Sequence, residues 1–155
     1  MNREQLYAVL MALNDETLLL PNSAVIEVVA REALGAPPPG APAWLLGDCE
    51  WNNRRVPVVS VEALNGGPPA EMTRRARVVV LHSLGTHLPS GLLAVVAQGY
   101  PHLVTLNRTA IKSAPIKETD RRDLVLTRVR IASQEAMIPD LGTIEAELVR
   151  VTMAA

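Results

Sequence analysis

A mainly β fold follows from three features of the sequence. There is no Phe and there are only two Trp and two Tyr, so Val, Leu, Ile and Ala must fill the core. Those side chains, many of them branched at Cβ, suit half-buried pleated strands. The apolar residues also come in runs of strand length bounded by Gly, Pro, Asn, Asp and Ser, and a clear helical period appears only near the C-terminal end.

The elements follow in order. Residues 6–13 and 17–20 are apolar runs around Asn14-Asp15-Glu16, which predicts an antiparallel hairpin. Pro21 stops the second strand, and Asn22 or Ser23 can cap a short helix running through Val29, against the preference of the β-branched Val25, Ile26, Val28 and Val29. Four prolines between Gly35 and Pro42 make that stretch an extended surface connector. Residues 43–51 and 56–61 read as strands around Asn52-Asn53, since Asn tolerates the positive φ of a tight hairpin. A second half opens with strands at 77–82 and 92–98, joined by the Gly/Pro/Ser loop 85–91. Strands at 100–106 and 124–131 flank a polar, charged interval, 107–123, read as irregular loop. A short strand at 136–138 leads past Pro139 to Asp140, a helix N-cap. Leu141, Ile144, Leu148 and Val151 then recur at helical spacing opposite Glu145, Glu147 and Arg150.

The halves are alike in order. Each runs hairpin, connector, and then a β-branched residue followed by Pro, at Val56-Pro57 and Ile138-Pro139, an offset of 138 − 56 = 82 residues. Two similar β lobes sharing one core account for this. With 155 residues the chain is read as a single domain, 1–155, with interleaved lobes and halves that meet near 65–75.

Composition excludes several classes. An apolar content of 48 % against 20 % charged residues is far from that of a disordered chain. Fifteen basic and sixteen acidic residues leave a net charge of −1, so nucleic acid is not an expected partner. The one cysteine, Cys49, has no internal partner, and no secretory leader pattern opens the sequence, which points to the cytoplasm. No apolar run approaches the roughly 20 residues that span a bilayer, so membrane insertion is not expected.

Little in the sequence supports catalysis. His82 and His87 are five residues apart across a loop, without the carboxylate or cysteine pair that fixes a metal. Cys49 lies between Asp48 and Glu50, whose charges oppose thiolate formation, and reads as a small buried hydrophobe. Neither a nucleophile elbow nor a phosphate-binding glycine loop is present. The enzyme alternative is a small metal-dependent or hydrolytic protein using His82 or His102 with Asp120 or Asp123. A further alternative is a structural, self-associating β module. The pairs Arg54-Arg55, Arg74-Arg75 and Arg121-Arg122 either solvate turns or meet acidic surfaces, and Trp51, beside a turn, is a candidate contact as much as a lid over the core. Trp44 and Leu45-Leu46 are placed in the core.

The segment Pro39-Gly40-Ala41-Pro42-Ala43-Trp44-Leu45-Leu46-Gly47, continued by Arg54-Arg55-Val56-Pro57-Val58-Val59-Ser60-Val61, resembles CheW-like domains, the coupling proteins of bacterial chemotaxis arrays. Val25-Ile26-Glu27-Val28-Val29 looks like the family's Val-x-Glu-Val segment, and weaker likeness runs through residues 77–96 and 136–148. Two departures stand out. Where the family carries Asn-Leu-Arg-Gly at the hairpin turn, this chain has Glu50-Trp51-Asn52-Asn53, so the family's contact Arg is replaced by Asn52; Ser60 also stands where an Asp is usual.

The resemblance implies two SH3-like five-stranded β-barrel lobes in one domain, with a short helix after the first hairpin and a C-terminal helix. It implies no cofactor and no active site, and a non-catalytic role as adaptor. The implied partners are the regulatory domain of a CheA-type histidine kinase and the cytoplasmic tip of a methyl-accepting chemoreceptor, with a twitching-motility system of type IV pili as one setting. By position in the family, Val25, Glu27, Gly47 and Asn52 are the expected contacts, and the hairpin adds Trp51, Arg54 and Arg55.

Overall fold

A computed structural model of the chain describes residues 5–85 and 88–153; His87 lies outside them. Among these residues eleven strands form two sheets. Strands β1 (Leu6–Ala12) and β2 (Thr17–Pro21) make the first hairpin, and β3 (Val25–Ala30) leaves it for the other sheet. A second hairpin joins β4 (Leu45–Trp51) to β5 (Arg54–Val59) and ends in the one-turn helix α1 (Val61–Leu64). The second half repeats this plan with β6 (Ala76–His82), β7 (Leu92–Gln98) and the departing β8 (His102–Leu106), then β9 (Ile111–Ala114), β10 (Val125–Ile131), β11 (Gln134–Pro139) and helix α2 (Leu141–Met153).

The two sheets run β8-β1-β2-β11-β10-β9 and β3-β6-β7-β5-β4. In each, the central hairpin comes from one half of the chain and its flanking strands from the other. Most neighbours are antiparallel, but β5 pairs parallel with β7 and β11 parallel with β2. These are the strands carrying Val56-Pro57 and Ile138-Pro139, and each feeds directly into a helix. The 82-residue repeat of the sequence is therefore a repeat of topology.

Strand periodicity sorts the core into three clusters. In β6 and β7, Val78, Val80, Leu92, Ala94 and Val96 point into the five-stranded lobe, while Val79, Leu81, Leu93, Val95 and Ala97 point the other way, into a cluster between the lobes. In β1, Val9 and Met11 enter that same central cluster and Ala8 faces the interior of the six-stranded lobe with Leu19, Leu106, Val129 and Ala136. Both central hairpins are thus buried on two faces, which is why 78–81 and 92–97 are unbroken apolar runs. Leu141, Ile144 and Leu148 of α2 complete the central cluster.

Five expectations are corrected. The helix expected through Val29 is a single 3-10 turn at Asn22–Ala24 without a side-chain cap, and the β-branched residues after it form β3. Val61 belongs to α1, because Ser60 Oγ accepts the Ala63 N–H at 3.2 Å and starts a helix there. The interval 107–123 contains a 3-10 turn, Arg108–Ala110, and an edge strand, β9, whose short apolar signature is Ile111 paired with Ile131. Glu145 and Glu147 are buried: Glu145 Oε2 accepts the N–H groups of Leu84 and Gly85 at 3.0 and 3.1 Å, and Glu147 is held by Arg121 and Arg150. The six-stranded lobe also exceeds the expected five by β9.

The remainder of 107–123 is fastened by charge. Arg128, 2 % exposed, makes a bidentate pair with Asp120 at 2.7 and 2.7 Å and reaches Glu16 at 2.8 Å through Nη1. Asn65, just after α1, donates to Asp120 Oδ1 at 3.0 Å and accepts the Arg121 N–H at 2.7 Å. Arg128 holds the Asp120 carboxyl far below the ordinary carboxylate range, against the opposing effect of burial.

Candidate functional site

The expected contact residues gather, with exceptions, where the five-stranded sheet closes on itself. β3 and β4 are opposite edges in hydrogen-bonding order, yet the sheet coils until they meet. The chain following β3 bridges to β4 when the Gly35 N–H donates to the Asp48 carbonyl at 2.7 Å. Higher on the same seam, Trp51 Nε1 donates to Glu27 Oε1 at 2.9 Å. Ile26, Val29, Leu34, Leu46 and the indole of Trp51 then cover the cluster inside this lobe.

The hairpin tip is a tight two-residue turn. Asn52 and Asn53 have φ of 52° and 62°, a left-handed pair that twists with the flanking strands. Arg54 Nη1 donates to the Ser90 carbonyl at 3.2 Å, fastening the tip to the loop before β7. Arg55 pairs with Asp48 at 2.9 Å across the hairpin; its side chain is 79 % exposed, so the pair contributes little to stability. Nothing in the sequence pointed to Ser90, because the 85–91 loop carries no pattern beyond its turn residues.

Glu27, Trp51, Asn52 and Arg54 form one continuous face, with Arg55 on its flank. Val25 begins β3 and is half-buried against the central cluster, so it presents only part of its side chain. Gly47 has a structural role of its own. It is buried at a bulge between Leu45 and Gly47, with φ of 145°, and a Cβ there would lie 1.8 Å from the Gly35 carbonyl oxygen. A close passage of two backbones is enough by itself to demand the glycine. Trp44, expected in the core, is half-buried against the central cluster.

Cys49 is buried inside the five-stranded lobe, and burial, helped by the charge of Asp48, pushes its thiol pKa up. His82 and His102 are exposed and belong to different sheets. The carboxylates that the enzyme alternative assigns to them are engaged elsewhere, Asp120 by Arg128 and Asp123 by Arg121 at 2.6 Å. Among the described residues no group of three or more His, Cys, Asp or Glu side chains is arranged to hold a metal. Among the same residues no helix is long and apolar enough to cross a membrane.

Comparison with known proteins agrees with this architecture. The model of the CheW-like domain matches residues 8–147. No curated protein matches the sequence. Among solved structures, the chain is similar in fold to the scaffolding protein TtCheW from Thermoanaerobacter tengcongensis, with a TM-score of 0.70 and 17 % identity over 87 % of this chain and 88 % of that one. With two interleaved lobes built as described and a family match that runs from β1 into α2, the chain belongs to the CheW-like domain family.

Proposed function

We propose that this protein is a non-catalytic, cytoplasmic adaptor that couples a CheA-type histidine kinase to methyl-accepting chemoreceptors, acting as one CheW-like unit over residues 1–155. Membership of the family supports the coupling role, and the observation that carries it to a surface is the seam where Trp51 binds Glu27. The clasp turns an edge strand and a hairpin tip into one rigid face, with Val25, Glu27, Trp51, Asn52, Arg54 and Arg55 as its contact residues. Rigid presentation favours binding because little side-chain freedom remains to be lost. Asn52 in place of the family's Arg fits a partner surface altered in step with this chain, and one such setting is the control of twitching motility by type IV pili.

The test is titration of the purified chain against the kinase regulatory domain and the receptor tip from the same organism, by calorimetry. Association at or below the order of tens of micromolar supports the reading. Absence of binding to both would overturn it.

A further inference from the structure

A second face gathers three arginines, none of them in an ion pair with a carboxylate among the described residues. Arg74, Arg75, Arg77, Gly99, Tyr100 and His102 line an open concavity of about 310 Å³. Among the described residues, Arg31, Arg55, Arg121, Arg128, Arg130 and Arg150 make ion pairs with carboxylates; Arg54 and Arg122 make none, as Arg74, Arg75 and Arg77 make none, but these last three share one concavity.

The loop that carries these arginines is fixed in place. Arg31 Nη1 donates to the Met72 and Thr73 carbonyls at 3.1 and 3.0 Å. Gln98 Nε2 donates to the Glu71 carbonyl at 2.6 Å, and Thr73 Oγ1 donates to Gln98 Oε1 at 2.7 Å while accepting the Arg75 N–H at 3.2 Å. Arg77 Nη1 is tied to the Arg74 and Ala76 carbonyls at 3.0 and 2.8 Å, and its guanidinium lies 5.2 Å from the centroid of the Tyr100 ring. Side chains hold the carbonyls of Glu71, Met72, Thr73 and Arg74 and the N–H groups of Glu71 and Arg75, more fastening than a loop that only solvated a turn would need. Tyr100, 63 % exposed, adds an aromatic wall that the core does not use.

We propose that this concavity docks an acidic segment of a partner protein, its carboxylates on the Arg74, Arg75 and Arg77 guanidiniums and its aliphatic stems against Tyr100. Guanidinium forks match carboxylates in pairs, and an aromatic wall covers the methylenes of Glu. A nucleic acid or lipid surface fits less well, because exposed Glu32 and Glu71 border the loop and the whole chain carries a net charge of −1. The site is separate from the clasped hairpin. Ala76 pairs with Gln98 at one end of β6 and β7, and the hairpin tip is bonded to Ser90 beyond the other end.

The test is a titration of the isotope-labelled full chain with a blocked hexaglutamate peptide, followed by amide chemical shifts at about 50 mM salt, where surface charges are weakly screened. Saturating shifts confined to residues 73–77 and 99–102, at peptide concentrations up to ~2 mM, are expected. Arg74→Ala with Arg75→Ala weakens the apparent Kd about tenfold, and Arg122→Ala, at an exposed arginine outside both faces, leaves it unchanged. Should the double variant lose its fold, Arg75→Gln alone carries the same comparison. Scattered or absent shifts, or a double variant that binds as the parent does, overturn the proposal. So does an equal response to inorganic phosphate or to a single-stranded oligonucleotide at the same concentration.

Discussion

The 2.9 Å hydrogen bond from Trp51 Nε1 to Glu27 Oε1 joins two strands that stand at opposite ends of their sheet. It closes a lobe that five strands alone leave open, and it does so with a side chain that also covers the Ile26 and Leu34 corner of the core. Trp51→Phe keeps most of the ring and removes the donor, so stability in urea should fall by about 1 kcal/mol. Trp51→Ala also removes the cover and should weaken adaptor binding by more than about 1 kcal/mol, read by calorimetry with the kinase regulatory domain. A Trp51→Ala protein that binds normally would detach the clasp from the contact face.

The pair Arg128–Asp120 should govern behaviour in acid. Asp120 is ionised far more readily in the folded chain than in the unfolded one, so the unfolded chain binds the extra proton. Its stabilising effect is therefore complete above the unfolded carboxyl value of about 4 and is lost as pH falls from there towards the lower folded value. Asp120→Asn takes the bidentate carboxylate from a buried guanidinium, leaving Glu16 as its nearest charged partner, and should cost about 3 kcal/mol at neutral pH. The variant's stability should also decline less steeply below about pH 4, which denaturant titrations at several pH values would measure.

Gly47 should accept no side chain. Gly47→Ala sets a Cβ against the Gly35 carbonyl and strains a φ of 145°, with an expected loss of about 3 kcal/mol or more. Gly40→Ala is the control for backbone strain alone, since its φ is 79° and nothing lies within 4 Å of the added methyl. Thermal melts of the two should separate by the cost of the clash.

Ser60 serves two backbone groups at once. Its hydroxyl accepts the Ala63 N–H at 3.2 Å as the cap of α1 and the Ala70 N–H at 2.9 Å from the connector between the halves. Ser60→Ala leaves the buried Ala70 donor unpaired and should lower stability by about 2 kcal/mol. Amide exchange at Ala70 should speed up more than at residues in β6.

The sequence made the strands legible wherever one rule governed them. Two-sided burial wrote itself as the runs 78–81 and 92–97, and Asn52-Asn53 declared a turn that only residues tolerant of positive φ can make. Reading failed where tertiary pairing overrode local signals. Asn22 and Ser23 look like helix caps, but β3 is drawn off to pair with β6, fifty residues on. The same cause hid the burial of Glu145 and Glu147, whose partners Leu84 and Arg121 lie far away in sequence. The hairpin itself was legible because its turn chemistry and aromatic are contiguous. The steric demand on Gly47 was hidden because the backbone beside it belongs to Gly35, beyond a proline-rich connector.

The reciprocal flanking of the two central hairpins also constrains synthesis on the ribosome. When the chain has emerged only as far as the connector near residue 70, β1 and β2 have neither β8 nor β11 beside them, and β3, β4 and β5 have no β6 and β7 to frame. The nascent first half therefore holds open strand edges and unspent apolar faces until the second half arrives. Both lobes are then completed by the same late segment, so a half-made molecule has no finished lobe to offer a partner.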